Sequence, residues 1–510
     1  MPDVFVNFGQ VGLEGNLLLV AAVALPTAVT LLCAILSGRG AEWATFSAAP
    51  MILATAIGIA LRVAETGKPL VYVVGAWAPP LGIVLKADGI SAAMLLTTAL
   101  LITAVALYVP AEFRDPPGTA GTARRSYVFW TLLAGLWTAL NVVFLAGDLF
   151  TLFVALELLT FAAVPLVCID GTRATLEAAL RYLLFALLGS VLYLLGATLL
   201  YGSYGTLDIT LLAQRVVPIT PTLVAGALMT AGLLAKCALF PLHLWLPPAH
   251  AGAPSAASAL LSGLVVKAAF ILLVRLWFEV MPTLFPIAAS NVLAVCGTGA
   301  ILVGSVMALR QSRLKLLIAY STVAQIGYLF LMFPLASDPA QPWAAMAWSG
   351  GLLQAVSHAL AKAAMFMATG LIIEATGGDR ISNLFGMARV LPITIGAIGI
   401  GGLSLMGVPV SGGFAAKWML LRASIASDQW WWAVVVLGGG LLAGGYMFRA
   451  IAPGLMFNVE PKVTRGRVAP GREAVAMGLA LASFALGLVP LYVSGFLQIG
   501  HPEFAAGASR

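Results

Sequence analysis

Long apolar segments separated by short polar connections make up most of this chain. A helix needs about 20 apolar residues to cross a bilayer. We therefore predict an all-α polytopic membrane protein with about fourteen transmembrane helices. The predicted spans are 17–36, 43–62, 89–109, 126–146, 149–169, 177–200, 222–241, 254–278, 285–308, 313–334, 342–373, 390–421, 430–450 and 473–495.

The segment between the second and third spans has a different pattern. It reads V-Y-V-V-G-A-W-A-P-P-L-G-I-V-L over residues 71–85, and glycine and proline interrupt it too often for a spanning helix. Its apolar side chains partly alternate, which is typical of short strands joined by a turn. The pattern predicts a small hairpin at the membrane surface.

Two of the predicted spans are interrupted near a lysine. The seventh contains A-K-C-A-L-F-P-L-H-L-W-L-P-P at residues 235–248, and the twelfth contains S-L-M-G-V-P-V-S-G-G-F-A-A-K at residues 404–417. Broken helices at corresponding positions of two halves suggest an inverted five-helix repeat with ion sites at mid-membrane. We predict helices 1–3 in residues 1–125, a first repeat of helices 4–8 in 126–278, a second of helices 9–13 in 285–450, and a basic cytoplasmic loop with the last helix in 451–510.

The distribution of Lys and Arg predicts the orientation. Sixteen fall on one set of loops and seven on the other, and the positive-inside rule places both termini outside. The larger set is Arg39, Arg114, Arg124, Arg125, Arg173, Arg181, Arg310, Arg313, Lys315, Arg380, Arg389, Arg449, Lys462, Arg465, Arg467 and Arg472; the smaller is Arg62, Lys68, Lys86, Arg215, Arg275, Arg422 and Arg510.

Composition narrows the class of protein further. The chain is 61% hydrophobic and 9% charged, which excludes a soluble globular protein. Its net charge of +7 is explained by membrane topology, so we expect no nucleic-acid partner. The four cysteines show no C-x-x-C spacing, and we expect no metal site, cofactor or nucleophile–base constellation. These features favour a transporter subunit over an enzyme.

The charged residues inside the spans carry the functional hypothesis. Glu157 lies near the middle of the fifth span and Lys236 within the broken seventh span. A charge in hydrocarbon is costly and needs a partner. We predict that these two residues pair, and that opening of the pair releases a proton. The alternative for Glu157 is a salt bridge that only joins two helices.

Further basic residues extend this pair into a row for proton translocation. Lys267 in the eighth span is the next predicted acceptor, and Lys417 in the twelfth span ends the row. His358 and Lys362 are four residues apart, so they share one helix face. Lysines repel metal cations, so a proton wire is the simpler interpretation. Structural contacts with backbone carbonyls or headgroups remain the alternatives.

Several polar residues are weaker candidates. His250 and His243 flank the broken seventh span and could relay protons into the row or bond to loops. Ser321, Thr322 and Gln325 could line a wet channel, although small polar residues more often bridge helices. A third hypothesis treats the whole set of charges as an assembly scaffold.

Four stretches resemble the antiporter-like membrane subunits of respiratory complex I, membrane-bound hydrogenases and Mrp-type cation/proton antiporters. They are L-F-P-L-H-L-W-L-P-P-A-H-A-G-A-P-S-A-A-S-A-L-L-S-G-L-V-V-K (239–267), R-L-K-L-L-I-A-Y-S-T-V-A-Q-I-G-Y (313–328), S-H-A-L-A-K-A-A-M-F (357–366) and the glycine-rich stretch before Lys417. The segment 250–263 is most similar to the D subunit of Mrp-type multisubunit Na+/H+ antiporters. The basic loop 459–472 departs from the family pattern.

The resemblance implies fourteen core helices, an inverted repeat and broken helices 7 and 12. It implies proton translocation by Glu157, Lys236, Lys267, His358, Lys362 and Lys417. It further implies a subunit of a Na+/H+ antiporter complex in a bacterial plasma membrane, with other membrane subunits, protons and Na+ as partners. The alternative is a proton-pumping subunit of a redox-driven complex, either NADH:quinone oxidoreductase or a membrane-bound hydrogenase.

Overall fold

The computed structural model describes residues 13–36, 38–111, 120–282, 284–456, 460–461, 463 and 468–501. Most of these residues are helical, which confirms the predicted all-α class. The helices are α1 (Leu13–Ile35), α2 (Arg39–Thr66), α3 (Gly89–Tyr108), α4 (Ala120–Leu145), α5 (Leu149–Val167), α6 (Arg173–Tyr204), α7 (Ile209–Arg215), α8 (Thr220–Lys236), α9 (Leu246–Gly252), α10 (Ser255–Leu260), α11 (Val266–Arg275), α12 (Ile287–Arg310), α13 (Leu314–Phe330), α14 (Met332–Ala336), α15 (Ala344–Thr376), α16 (Pro392–Met406), α17 (Gly412–Ala426), α18 (Trp430–Ile451), α19 (Pro470–Ala485) and α20 (Pro490–Gln498).

Eleven helical spans among the described residues are long and apolar enough to cross a membrane, which confirms a polytopic membrane protein. One is the continuous segment Ser255–Val280, in which π-helical turns at Leu261–Val265 and Leu276–Val280 follow α10 and α11. The other three predicted spans are shorter or interrupted. The helix α8 has 17 residues, α19 has 16, and the twelfth span is divided between α16 and α17.

Both predicted helix breaks are present. The helix α8 ends at Lys236, and turns that include Ala238, at φ 55°, lead to α9. The helix α16 ends at Met406, followed by Gly407 in the left-handed conformation, at φ 85°, which glycine adopts without steric cost. The Ser411 side chain then accepts a hydrogen bond from the Phe414 N–H and caps α17. The repeat and the division into four regions stay predictions.

The predicted hairpin is also present, and it gives the molecule a reference face. Strand β1 (Leu70–Val73) pairs antiparallel with β2 (Val84–Ala87), and the Gly147 N–H donates to the Val84 carbonyl over 2.9 Å. We call this side of the molecule the hairpin face. The opposite side, where the backbones of Arg313 and Arg380 form an isolated antiparallel β-bridge, is the basic face.

Three spans form the centre of the molecule. In their most apolar stretches all residues of Ser255–Val280 are buried, as are 89% in Leu314–Ala336 and 83% in Ala344–Thr376, compared with 28% in Leu17–Ile35. The central spans carry Lys267, His358 and Lys362. These three side chains are therefore held away from lipid by the surrounding helices.

Part of the charge distribution differs from the prediction or lies outside the described residues. The predicted topology assigns Arg275 to a loop, but it is 3% exposed at the end of α11, because it pairs with Asp88 at the start of α3 and with Glu279 one turn further along its own span. Residues 459, 462 and 464–467 of the basic loop 459–472 are not described. The residues Arg114, Lys462, Arg465, Arg467 and Arg510 likewise lie outside the described part.

Candidate functional site: a row of buried charges

The first ion pair of the site joins α5 to the end of α8. Lys236 Nζ lies 3.3 Å from Glu157 Oε1 and donates a second hydrogen bond, of 3.1 Å, to Thr160 Oγ1. Ser190 of α6 donates to the same Glu157 oxygen. The side chains are 7% and 18% exposed, so little solvent reaches the pair. The structure brings together the two residues that the sequence predicted to pair.

Two glycines allow the helices around this pair to approach closely. A Cβ atom on Gly189 of α6 would lie 2.6 Å from the Gly232 carbonyl oxygen and 3.1 Å from Lys236 Cγ. Small residues allow this kind of backbone contact between membrane helices. The position of Lys236 against Glu157 therefore depends on the absence of side chains at this crossing.

A small cavity lies beside Lys236, between it and the span Ser255–Val280. Its volume is about 10 Å³, close to the space that one water molecule needs. Its polar lining comes from Lys236, Thr160, Tyr182 and Trp245, and its apolar lining includes Val265 and Ala269 of the span that carries Lys267. The cavity is where a single water could continue the row from Lys236 towards Lys267.

Lys267 is fully buried beside an irregular part of its own span. Its ammonium donates to the Ser262 carbonyl, within the π-helical turn Leu261–Val265. Such turns leave a backbone carbonyl without its usual helical donor. The Ser262 hydroxyl in turn lies 2.9 Å from Thr322 Oγ1 of α13. A hydrogen bond therefore connects the span that carries Lys267 to α13.

The helices α13 and α15 continue this connection. Lys362 Nζ donates to the Ile318 carbonyl over 2.9 Å and to the Ser321 hydroxyl. Thr322 donates to the same carbonyl over 3.1 Å. His358 lies one turn away on α15, 1% exposed, and neither ring nitrogen has a hydrogen-bond partner among the described residues. The predicted shared face of His358 and Lys362 is thus set against α13.

Glutamines connect this face to the second broken helix. Gln354 Nε2 donates to Gln325 Oε1 over 2.9 Å, and Gln325 Nε2 donates to the Leu405 carbonyl over 3.1 Å. Lys417 Nζ donates to the same carbonyl over 2.6 Å and lies 4.3 Å from the centre of the Tyr328 ring. Side chains of α13 and α15 are therefore hydrogen-bonded to the carbonyl that also binds Lys417, whereas no hydrogen bond among the described residues joins this set to Lys362.

His243 and His250, the two histidines predicted as a proton relay, lie near the break of the seventh span. His243 is 5% exposed and its ring centroid is 5.6 Å from that of Phe240. His250 is fully buried and stacks on Phe366 at 4.7 Å, and its ring nitrogens have no hydrogen-bond partner among the described residues. Residues 251–255, which follow it, line a polar pocket of about 530 Å³. Neither histidine is within the hydrogen-bonded row.

Comparison with known proteins places the chain in a family. A family model described as NADH:quinone oxidoreductase/Mrp antiporter, transmembrane, matches residues 146–443, which is more than half of the chain. The chain belongs to this family. The matched region contains every residue of the row.

The individual relatives are named as subunits of two different complexes, NADH-quinone oxidoreductase and an Na+/H+ antiporter. The N subunit of NADH-quinone oxidoreductase from Desulforudis audaxviator is 32% identical over 457 residues, covering 87% of this chain and 88% of that protein. The D subunit of the Na+/H+ antiporter from Alkalihalophilus pseudofirmus is 28% identical over 382 residues, covering 74% of each. A chain in the structure of the Mrp complex from Dietzia sp. shares the fold, with a TM-score of 0.85 at 24% identity, covering 98% of this chain and 99% of that one.

Sequence reasoning within this family missed several members of the row. Ser190 and Thr160 hold the first pair, Ser262 links two spans, and Gln354 bonds Gln325. Gln354 had a usable signal, because it precedes His358 by four residues on the same helix and therefore shares its face. The others are ordinary small polar residues whose neighbours only the packing determines.

Proposed function

We propose that this chain is the proton-translocating subunit of a multisubunit Na+/H+ antiporter. Protons move at mid-membrane along Glu157, Lys236, Lys267, His358, Lys362 and Lys417. The observation that carries the proposal is the Glu157–Lys236 pair, 3.3 Å apart and placed where α8 breaks. A helix that ends at its charged residue can move that residue without shifting a full span.

The physical basis is the cost of an isolated charge in an apolar environment. While the pair is closed, each charge stabilises the other and Thr160 and Ser190 complete the hydrogen bonds. When the pair opens, Lys236 loses its counter-charge, and desolvation then favours loss of its proton. Lys267 and the polar groups of α13 and α15 provide the next positions for that proton.

Removal of the carboxylate charge tests the proposal. In vesicles that contain the assembled complex, Glu157→Gln is expected to lower Na+-dependent proton movement by at least about tenfold, because the pair can no longer form. Glu177→Gln is the matched control, since Glu177 is 66% exposed and pairs with Arg173 on the surface of α6. Near-normal exchange by Glu157→Gln in a complex with all its subunits contradicts the proposal.

The proposal includes a setting for the chain. The relative from A. pseudofirmus is named as one subunit of an antiporter, which supports other membrane subunits as partners. Na+ would cross through a partner, because the buried row presents mostly lysines. We place the chain in a bacterial plasma membrane with both termini outside, so the hairpin face would be the outer face.

A second candidate is the same proton carrier in a redox-driven complex. It is favoured by the relative from D. audaxviator, which is named as a subunit of NADH-quinone oxidoreductase and matches a larger share of the chain. Mild purification of the complex distinguishes the two. Co-purifying iron–sulfur or flavin subunits favour the redox-driven complex, whereas membrane subunits alone favour the antiporter.

A further inference from the structure

A second group of buried charges lies at the hairpin face, outside the row. Arg275 Nη1 lies 3.0 Å from Asp88 Oδ2 and 2.6 Å from Glu279 Oε1, and Lys86 Nζ lies 3.2 Å from Glu279 Oε2. The Arg275 and Asp88 side chains are 4% and 3% exposed. We call Lys86, Asp88, Arg275 and Glu279 the hairpin-face cluster.

The four members of this cluster differ in how firmly they are held. Burial opposes the charge on Asp88, but Arg275 and Lys86 outweigh burial and lower its pKa to about 2. Asp88 also accepts the Ser91 N–H over 2.8 Å. Glu279 instead divides its oxygens between Arg275 and the partly exposed Lys86, and its own side chain is 11% exposed. Glu279 is thus the carboxylate of the cluster nearest to solvent.

The cluster and the row share one span. Lys267, Ile271, Arg275 and Glu279 follow each other at intervals of four residues in Ser255–Val280, so they form one stripe. Lys267 lies eight residues from Arg275, about 12 Å along the helix. The described residues use one of the three N–H donors of Lys267, on the Ser262 carbonyl.

The neighbouring helices place two more polar atoms at the depth of Lys267. Ser91 of α3 accepts from Arg275 Nη2 over 2.8 Å and donates to the Phe144 carbonyl of α4 over 2.6 Å, which aligns the three helices. Seven residues deeper on α3 and α4, about 10 Å, lie Thr98 and Trp137. Thr98 Oγ1 and Trp137 Nε1 are buried and have no hydrogen-bond partner among the described residues.

Ordered water usually satisfies buried polar atoms of this kind. We propose that Thr98 and Trp137 hold water beside Lys267. Glu279 is then the group through which protons pass between Lys267 and the hairpin face. This proposal rests on the proposed function of the row. The Lys267 ammonium gives one proton to this water, and the Glu279 carboxylate accepts one from the water chain. This uptake takes place while the contact between Glu279 and Lys86 is open, and Glu279 releases the proton to the aqueous phase when the contact closes, because the Lys86 ammonium favours the charged carboxylate. Arg275 stays charged on Asp88 throughout.

Removal of the Thr98 hydroxyl tests the water site. Thr98→Val keeps the side-chain shape, and we expect it to lower proton movement by the assembled complex roughly tenfold. Thr98→Ser restores a hydroxyl and is expected to restore the rate. Thr97→Val is the matched control, because the Thr97 hydroxyl donates to the Ala93 carbonyl of its own helix. A wild-type rate in Thr98→Val, or an equal loss in Thr97→Val, overturns the proposal.

The second test addresses Glu279. Glu279→Gln is expected to lower the rate at least tenfold and Glu279→Asp to retain part of it. Glu65→Gln is the control, because Glu65 is 65% exposed on the same face. Glu157→Gln is measured in parallel. If Glu157→Gln is inactive while Glu279→Gln and Thr98→Val are normal, the row stands and only this route fails; if Glu157→Gln is active, the proposed function itself fails.

Discussion

At the scale of single residues, the buried lysines are held mainly by backbone carbonyls. Lys267 bonds the carbonyl of Ser262 in a π-helical turn, and Lys362 bonds that of Ile318. Lys417 bonds the carbonyls of Leu405 and Met406, over 2.6 and 3.4 Å, at the end of α16. Cations are favourable at this end of a helix. Irregular backbone and buried charge therefore stabilise each other along the row.

Lys417→Met tests this mutual dependence. The variant keeps the length of the side chain but removes the charged donor from the last carbonyls of α16, so that Leu405 keeps only the neutral donor Gln325, at a cost of about 1–3 kcal/mol. We expect a lower melting temperature of the purified complex as well as slower proton movement. Lys417→Arg keeps a donor and should lose less stability. The control is Arg422→Met, at an exposed position of the same helix; equal melting temperatures for Lys417→Met and wild type would contradict the prediction.

The residues of the site differ in how far sequence could predict them. The lysines, His358 and Glu157 could be identified because charge inside an apolar span is rare and costly. The pairing of Arg275 with Asp88 could not be predicted, because the two residues are 187 positions apart and only the packing of α3 against the span Ser255–Val280 joins them. Thr98 and Trp137 carry no signal in sequence, since their lack of partners is a property of the folded chain.

At the scale of helices, the sequence predicted the helix breaks and the hairpin, but not the π-helical turns or the close crossing of α6 and α8. Both broken spans followed from proline and glycine beside a lysine, and the hairpin followed from interrupted alternation. The π-helical turns around Lys267 did not, because they arise without proline or a distinctive spacing in α10 and α11. The close crossing of α6 and α8 also required the structure, since glycines occur throughout the chain.

Gly189→Ala tests the role of that crossing. The added methyl group would meet the Gly232 carbonyl at 2.6 Å, so α6 and α8 must separate and the Glu157–Lys236 distance must grow. We expect a destabilisation of about 1–3 kcal/mol, as for other overpacked contacts, together with slower proton movement. Gly202→Ala is the control on the same helix, because a Cβ there has nothing within 4 Å. A normal transport rate for Gly189→Ala would show that the pair tolerates a wider crossing.

At the scale of the whole molecule, the segment 497–501 closes the hairpin face. The Gly89 N–H donates to the Ile499 carbonyl and Trp348 Nε1 to the Leu497 carbonyl, each over 2.9 Å. His501 packs edge-on against the Trp348 ring at 4.6 Å. Through these contacts the segment joins the start of α3, beside the hairpin-face cluster, to α15, which carries His358 and Lys362. We therefore expect the docking of this segment to affect both the hairpin-face cluster and the row.

This docking is expected to depend on pH through His501. Burial lowers the pKa of His501 from 6.5 to about 4; Glu279 and Asp88 oppose this shift, and Lys86 adds to it. Because the docked segment favours neutral His501, its stabilisation is complete above pH 6.5 and is lost as the pH falls towards 4. The change is up to about 3 kcal/mol.

Hydrogen–deuterium exchange in the intact complex measures this docking. After correction for intrinsic exchange rates, the amides of Gly89 and Ile499 should lose protection between pH 6.5 and 4, whereas Gly377, bonded within the last turn of α15, should not. His501→Gln removes the titrating group and should make the protection of Gly89 independent of pH in this range. If wild type and His501→Gln respond identically to acid, His501 does not control the docking of this segment and the prediction is wrong.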